Sequence, residues 1–395
     1  MSLQPPPPTH ILRSHSSPIS ALYISDDNER VYSGDAQGVI VITSSQTLRP
    51  IAKWEAHKER ILGVEEWDRV IVTHARDNKL HVWDRAGEKE EEEPPAAMRI
   101  GSTAALVDLP TPGLRYSMDV NALNFCRFSL LRLAGSRGLG AAAGTRGLLA
   151  LPNLVESGAA DIWALDGRDR IHAAIGQDSG FGARGIIMSM DLYLSGVESE
   201  EGSELPMTTL RLLCGYENGS VVLWKYTRKE KTKSVDGAGW DMIWTVRLHQ
   251  ETIMAMRVSS NNEFALTVSV DHLVGKYDLK DESADPEKSC KIFRTMHPGN
   301  GCIAIHDKGR VCAIGGWDGR VRLYSTKSFK PLGTLRYHKV ACQAVEFARA
   351  SWTRQGDEED EKEKVKQSRW LVSGGKDHRP TIWELMDFEK GDSKA

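Results

Sequence analysis

Thr73-His74-Ala75-Arg76-Asp77-Asn78-Lys79-Leu80-His81-Val82-Trp83 is the stretch from which the fold is read. An apolar run ends in a hydroxyl residue, an aspartate follows four residues on, and a tryptophan six residues later closes a second alternating run. Two strands joined by a polar turn give this pattern, because strand side chains alternate between faces. The closing aromatic recurs in Ile162-Trp163, Leu223-Trp224, Leu323-Tyr324 and Ile382-Trp383, and Tyr277 stands in the same place after Lys276. Six residues before five of these aromatics come Asp77, Asn218, Asp271, Asp318 and Asp377. Asn218-Gly219 and Asp318-Gly319 add the chemistry of a tight hairpin turn. Ten residues before the aromatic, strands end in Thr73, Thr267 and Ser373.

A histidine opens most units: His15, His57, His249, His297 and His338. Histidine, hydroxyl, aspartate and tryptophan suit one buried chain of hydrogen bonds. The aspartate accepts from the imidazole, the imidazole meets the hydroxyl, and the hydroxyl reaches the indole N–H. Such a chain is stable only if each member is paired. Three units carry the set: His57, Thr73, Asp77, Trp83; His249, Thr267, Asp271, with Tyr277 for the indole; and His338, Ser373, Asp377, Trp383. The first unit reads as degenerate, with Gln37 at the aspartate position and Thr43 at the tryptophan position. The third keeps Trp163 and little else.

These residues are the WD-repeat signature, and the expected fold is all-β, a seven-bladed WD-repeat β-propeller forming one domain over 1–395. Thr43 to Trp83 spans 40 residues, close to the roughly 40–45 of one four-stranded blade. The 80 residues from Trp83 to Trp163 are counted as one unit, because a charge run and a Gly/Ala/Arg-rich stretch fill the excess. The last unit lacks a fourth strand and residues 9–13 precede the first histidine, so the N-terminal segment is expected to complete the last blade. Polar insertions are placed near 129–146, 195–208 and 353–368 between the first and second strands of a blade, and near 85–97, 227–240 and 279–290 between the third and fourth. All six then emerge on one face. The other keeps short turns, apart from a longer segment at 104–118.

Composition fits a globular interaction module. Hydrophobic residues make up 40% and charged residues 27%, and the net charge of −3 does not argue for a broad basic surface that binds nucleic acid. The six cysteines contain no C-x-x-C pair, and buried free thiols are expected. Met1–His10, with Pro5–Pro8, has no signal-peptide pattern, and no apolar run approaches the roughly 20 residues of a membrane span. Gly138, Gly140 and Gly144 lack the strand and helix that a dinucleotide loop requires. No common nucleotide, zinc or hydrolase motif occurs, and the unit-opening histidines belong to separate blades. No catalytic, cofactor or metal site is therefore expected. The sequon Asn218-Gly219-Ser220 falls in a hairpin turn, and the basic residues Lys225, Arg228, Lys229, Lys231 and Lys233 read as a solvated loop.

Several stretches resemble the fungal ASTRA-associated protein 1 family, which has an animal relative described as G-protein β-subunit-like. The carriers are Ile11-Leu12-Arg13 with His15 and Ser17-Pro18-Ile19; Ser33-Gly34-Asp35 with Gly38; Arg49-Pro50 before Trp54-Glu55-Ala56-His57; Thr73 to Leu80 with Val82-Trp83; and Val120 to Cys126. They lie in the first 160 or so residues. The resemblance implies a nuclear subunit of the ASTRA assembly, with RuvB-like AAA+ ATPases, the TTT cochaperone and a PIKK-related scaffold as partners. The alternative is a substrate receptor of a cullin ubiquitin ligase. Such receptors carry W-D-x-R, and Trp83-Asp84-Arg85-Ala86 places the arginine one position early. A Gβ-like role would need an N-terminal coiled-coil helix, which Pro5–Pro8 do not supply. Partner contacts are expected on the short-loop face, at Glu59, Arg60, Gln250, Glu251 and Lys339.

Overall fold

The computed structural model describes residues 6–85, 109–133, 146–177, 184–196, 208–228, 233–280, 290–350 and 364–388. Seven antiparallel sheets of four strands each are arranged as blades around an axis. From the axis outward, strands a to d of blade 1 are Ile19–Ile24, Arg30–Asp35, Val39–Ser44 and Pro50–Glu55. Those of blade 2 are Ile61–Trp67, Val70–Ala75, Lys79–Asp84 and Gly113–Asp119. Blade 3 has Ser129–Leu133, Arg146–Pro152, Ala160–Ala164 and Asp169–Ile175, and blade 4 has Ile187–Gly196, Thr208–Tyr216, Ser220–Tyr226 and Trp240–Arg247. Blade 5 has Ile253–Val258, Phe264–Ser269, Leu273–Asp278 and Cys290–Arg294, and blade 6 has Asn300–Ile305, Val311–Gly316, Arg320–Ser325 and Pro331–Arg336. Blade 7 takes Cys342–Phe347, Trp370–Gly375 and Pro380–Glu384 from its own repeat and His10–Ile11 from the start of the chain. The count of seven is the one the repeat predicts.

Closure uses few hydrogen bonds and one good apolar anchor. His10 pairs with Ile382 and Ile11 with Thr381, and the Thr9 and Leu12 amides donate to Ile382 O and Pro380 O at 2.8 and 2.9 Å. Leu12 is buried with Ile19, Val372 and Ile382 between blades 7 and 1. That burial contributes about 1.5–3 kcal/mol, against about 0.5–1.5 kcal/mol net for each ladder bond. The added strand pairs the outer side of Pro380–Glu384, so blade 7, like the other six, keeps only a short outer edge.

At some blade-to-blade contacts strand b offers no side chain, and the next blade fills the space. A Cβ on Gly34 would lie 2.7 Å from the Ile61 side chain of blade 2, and one on Gly374 would lie 2.5 Å from Ile19 of blade 1. In blade 2 the corresponding residue is His74, fully buried, which bonds Asn124 at 2.8 Å ahead of blade 3.

Strand alternation places every a–b and c–d connection on one face and every b–c and d–a connection on the other. Strand boundaries correct several insertion limits. Residues 129–133 are strand a of blade 3, and Arg146 already opens strand b. The connection begun at 85 runs to 112, and Gly113–Asp119 is strand d of blade 2. The segment at 104–118 is therefore not a loop of the short-loop face. Residues 195–196 and 208 belong to strands, as do Trp240 and Cys290, and a helical turn at 364–367 precedes strand b of blade 7. The remainder of these insertions, with Gly138, Gly140 and Gly144, lies largely outside the described residues.

Candidate functional site

The short-loop face is organised by histidine networks beneath it. In blade 2, His57 Nδ1 contacts the Asp77 carboxylate at 3.0 and 3.1 Å, and Nε2 lies 2.8 Å from Thr73 Oγ1. Trp83 Nε1 donates to the same hydroxyl oxygen at 2.8 Å. One tautomer satisfies the whole chain: indole N–H to Thr73, the Thr73 hydroxyl to Nε2, and Nδ1–H to Asp77. Burial lowers the affinity of His57 for a second proton, which keeps this tautomer neutral. Blade 5 repeats the arrangement, with His249 at 3.0 Å from Asp271 and 2.8 Å from Thr267, and the Tyr277 hydroxyl 3.4 Å from Thr267. In blade 7, His338 lies 2.9 Å from both Asp377 and Ser373, and Trp383 Nε1 donates to Ser373 at 3.0 Å.

Blade 1 holds a network that the repeat alignment missed. His15 Nδ1 is 2.9 Å from Asp35 and its Nε2 is 2.8 Å from Ser33. The carboxylate comes from the end of strand b, two residues before Gln37. Asp35 also accepts from the Gln37 and Val39 amides at 2.9 and 3.1 Å, so it closes the turn that Asp77 closes in blade 2. Blade 6 departs in the other direction. Arg322 Nη1 donates to Asp318 at 3.1 Å, and the His297 ring makes no hydrogen bond among the described residues. In blade 3, Asp161 accepts from Asn153 Nδ2 and the Ala174 amide, both at 2.8 Å.

The sequence candidates all sit on loops that open a blade at this face. Glu59, Gln250, Glu251 and Lys339 are exposed, and Arg60 is half-buried. A second set was missed: large apolar side chains exposed on the same face. Leu123 and Phe125 lie on the loop opening blade 3, Leu154 and Val155 on its b–c loop, and Met296 and Trp317 on the corresponding loops of blade 6. Val340 opens blade 7 and is also exposed. Several apolar side chains on rigid neighbouring loops are a recognised mark of an interaction surface.

The insertion-face half of the axial channel is a cavity of about 440 Å³ crossed by charge. Arg127 of blade 3 reaches Glu65 at 2.9 Å and Glu346 of blade 7 at 4.0 Å. Arg132 pairs with Glu65 and Asp26, both at 3.3 Å, and Arg349 pairs with Asp26, Asp307 and Glu346 at 3.2–3.8 Å. Burial pushes the Asp191 carboxyl up to about 6. These pairs tie blades together across the channel.

Comparison with known proteins matches this architecture. The family profile described as "WD domain, G-beta repeat" fits residues 6–43 and 290–325. A protein of Verticillium alfalfae named ASTRA-associated protein 1 is 30% identical to the chain, over 96% of the chain and 93% of its own length. The chain belongs to the ASTRA-associated protein 1 family. The Aspergillus flavus protein of that name is also 30% identical, over 97% of the chain, and the Schizosaccharomyces pombe one is 25% identical, over 87%. Similarity to the ASTRA-associated protein 1 family thus extends well beyond the first 160 residues, where the resemblance in sequence was placed. One WD profile match falls on blade 1, the unit read as degenerate, which holds the His15–Ser33–Asp35 network, and the other on blade 6, where that network is replaced.

Proposed function

We propose that this chain is a non-catalytic scaffold subunit of an ASTRA assembly, and that it docks partner proteins on the short-loop face. The observation that carries the reading is the set of exposed apolar side chains there, on loops pinned by buried networks. Docking on such loops costs little conformational entropy, because they are already ordered. The family's printed name supports the assembly. RuvB-like AAA+ ATPases, the TTT cochaperone and a PIKK-related scaffold are the proposed partners, and the nucleus is the proposed compartment. The ubiquitin-ligase receptor has less support, because Asp84 and Arg85 are engaged within the chain, by Arg115 at 2.5 Å and by Glu66.

Affinity purification of the tagged chain, with quantification of these partners, tests the proposal. Charge reversal at Glu59, Glu251 and Lys339, with Gln250→Lys and Leu154→Asp, is expected to lower recovery several-fold. Deleting 356–366, of which 356–363 lie outside the described residues, is expected to leave it unchanged. The opposite pattern moves the interface to the insertion face.

A further inference from the structure

The short-loop face carries a pair of arginines with no ion-pair partner among the described residues. Arg60 is the last residue before strand a of blade 2, and Arg76 is the first after strand b. The Arg76 amide donates to Arg60 O at 3.0 Å, which holds the two residues side by side. Elsewhere Arg30, Arg127, Arg132, Arg322 and Arg349 each have a carboxylate within 4.0 Å. Neither Arg60 nor Arg76 has one among the described residues. Burial, and then the neighbouring Arg76 charge, push the Arg60 guanidinium down from its ordinary value. Two adjacent half-buried guanidinium groups, neither paired with a carboxylate among the described residues, form a local site of positive charge.

Apolar surface adjoins that charge. The Arg76 guanidinium lies over the Phe125 ring, 4.1 Å from its centre, a cation–π contact that fixes both groups. Phe125 is still 40% exposed, and Leu123 beside it on the loop is 57% exposed. This loop is tied to the loop bearing Leu154 and Val155: Asn121 donates to Asn153 O at 2.5 Å, and Ser157 donates to Asn121 at 3.2 Å. Asn124 is anchored on buried His74. The apolar side chains are therefore presented by a braced pair of loops.

We propose that Arg60, Arg76 and this apolar patch form a docking site for a short acidic segment of a partner protein, one that places Asp or Glu beside a large apolar side chain. A carboxylate would take charge-assisted hydrogen bonds from the guanidinium forks, and the apolar neighbour would cover Phe125, Leu123, Leu154 and Val155. Charge complementarity selects the occupant. Arg60 and Arg76 share their hollow with Lys58, Glu55 and Glu59 and adjoin four apolar side chains, a small cationic spot in a mixed surface, which suits a peptide carboxylate and not a phosphate backbone, whose binding needs an extended basic surface. The chain's own acidic runs, at 88–93 and 357–361, join strand ends on the opposite face. The site rests on the scaffold reading and specifies part of its surface.

The test is fluorescence anisotropy with the full chain and three labelled 12-residue peptides that share Leu and Phe positions and carry Glu, Ser or Lys between them. The Glu peptide is expected to bind, with affinity that falls as salt rises, and the Ser and Lys peptides are not. Arg60→Gln with Arg76→Gln is expected to weaken binding at least tenfold, as is Phe125→Ser, whereas Lys327→Glu, on the opposite face, is not. Circular dichroism melts establish that the variants are folded, and Arg76→Lys, which keeps the charge, is expected to retain part of the affinity. Equal affinity for the double variant, or equal binding of the Lys peptide or of a single-stranded RNA, overturns the site. In purification from cells, full partner recovery by the double variant overturns the site and leaves the scaffold standing. Absence of partners from the wild type removes the scaffold reading, while the peptide titration still decides the site.

Discussion

Removing the Asp77 carboxylate asks how much one histidine network is worth. Asp77 accepts from three donors: His57 Nδ1–H, shared between its two oxygens, the Lys58 amide at 3.0 Å and the Lys79 amide at 3.3 Å. Lys58 and Lys79 are exposed, so water replaces the carboxylate at their amides at little cost. The His57 side chain is 0% exposed, and in Asp77→Ala its Nδ1–H loses its acceptor. An unsatisfied buried donor costs about 1–3 kcal/mol. With an unfolding entropy of about 2.1 cal/mol/K per residue, a loss of 2 kcal/mol lowers the melting temperature by roughly 2–3 °C. Urea titration followed by circular dichroism resolves the difference as a lower midpoint at unchanged slope. Asp77→Asn keeps an acceptor oxygen and is expected to lose less. Glu59→Ala, on the exposed surface two residues beyond His57, is expected to lose nothing. Partner recovery should fall in Asp77→Ala only as far as the folded fraction falls. An unchanged urea midpoint with abolished recovery would refute the structural role and make Asp77 a contact residue.

Three further outcomes follow from the packing. Leu12→Ala empties the closure anchor and is expected to cost about 2–4 kcal/mol, with hydrogen exchange accelerating first at the amides of Thr381–Glu384; unchanged exchange there would place closure elsewhere. Gly275→Ala sets a Cβ 2.6 Å from Thr267 Oγ1 and 3.0 Å from the Tyr277 hydroxyl, so a loss of about 1–3 kcal/mol is expected, partly recovered by adding Tyr277→Phe. Acid should destabilise the fold well before carboxylates titrate, because burial lowers His74 to about 3 and His172 to about 4. The unfolded chain binds these protons from about pH 6.5 downward while the folded chain does not, so stability falls with falling pH across 6.5 to 4. Each of the two contributes up to about 1.4 kcal/mol per pH unit. His172→Phe should reduce that slope in a pH series of urea midpoints, and an unaltered slope would contradict the burial argument.

The ring was legible because the aspartate-to-aromatic offset records a hairpin, and a hairpin repeated at blade spacing has few other solutions. The network in blade 1 was not, because its carboxylate comes from the strand end and not from the turn. In blade 6 the signal was present but unread. Four residues after the turn aspartate stand His81, Gly275 and Thr381 in blades 2, 5 and 7, and Arg322 in blade 6. A guanidinium there takes the carboxylate itself and leaves His297 out. The exposed patch was hidden by an inverted pattern in Val120–Cys126. Asn121 and Asn124 are each 3% exposed while Leu123 and Phe125 face outward. The asparagines are buried because they cap the loop backbone, accepting from the Leu123 amide at 2.7 Å and the Cys126 amide at 3.1 Å. Side-chain to backbone bonding of this kind overrides the usual partition of polar and apolar residues.

That inversion bears on why the interaction surface lies where it does. Blades 1, 2, 5 and 7 carry histidine networks, and the residues following each histidine at this face are mostly charged or polar. Among the described residues, all the large apolar side chains exposed on this face except Val340 belong to loops of blades 3 and 6, where the network is replaced. A histidine network ties the loop that opens a blade to the turn after strand b through three or four largely buried groups and leaves little freedom in loop direction. Blade 3 uses Asn121, Asn153 and Asp161 instead, and blade 6 uses Arg322 with Asp318, so their loops are ordered by other bonds and turn apolar residues outward. On this view the four blades with histidine networks supply rigidity and charged contacts, and blades 3 and 6 supply most of the apolar contact among the described residues. Removing the replacements, with Asn121→Ala or Arg322→Ala, should therefore disturb binding at the adjacent patch more than removing a histidine network of equal stability cost.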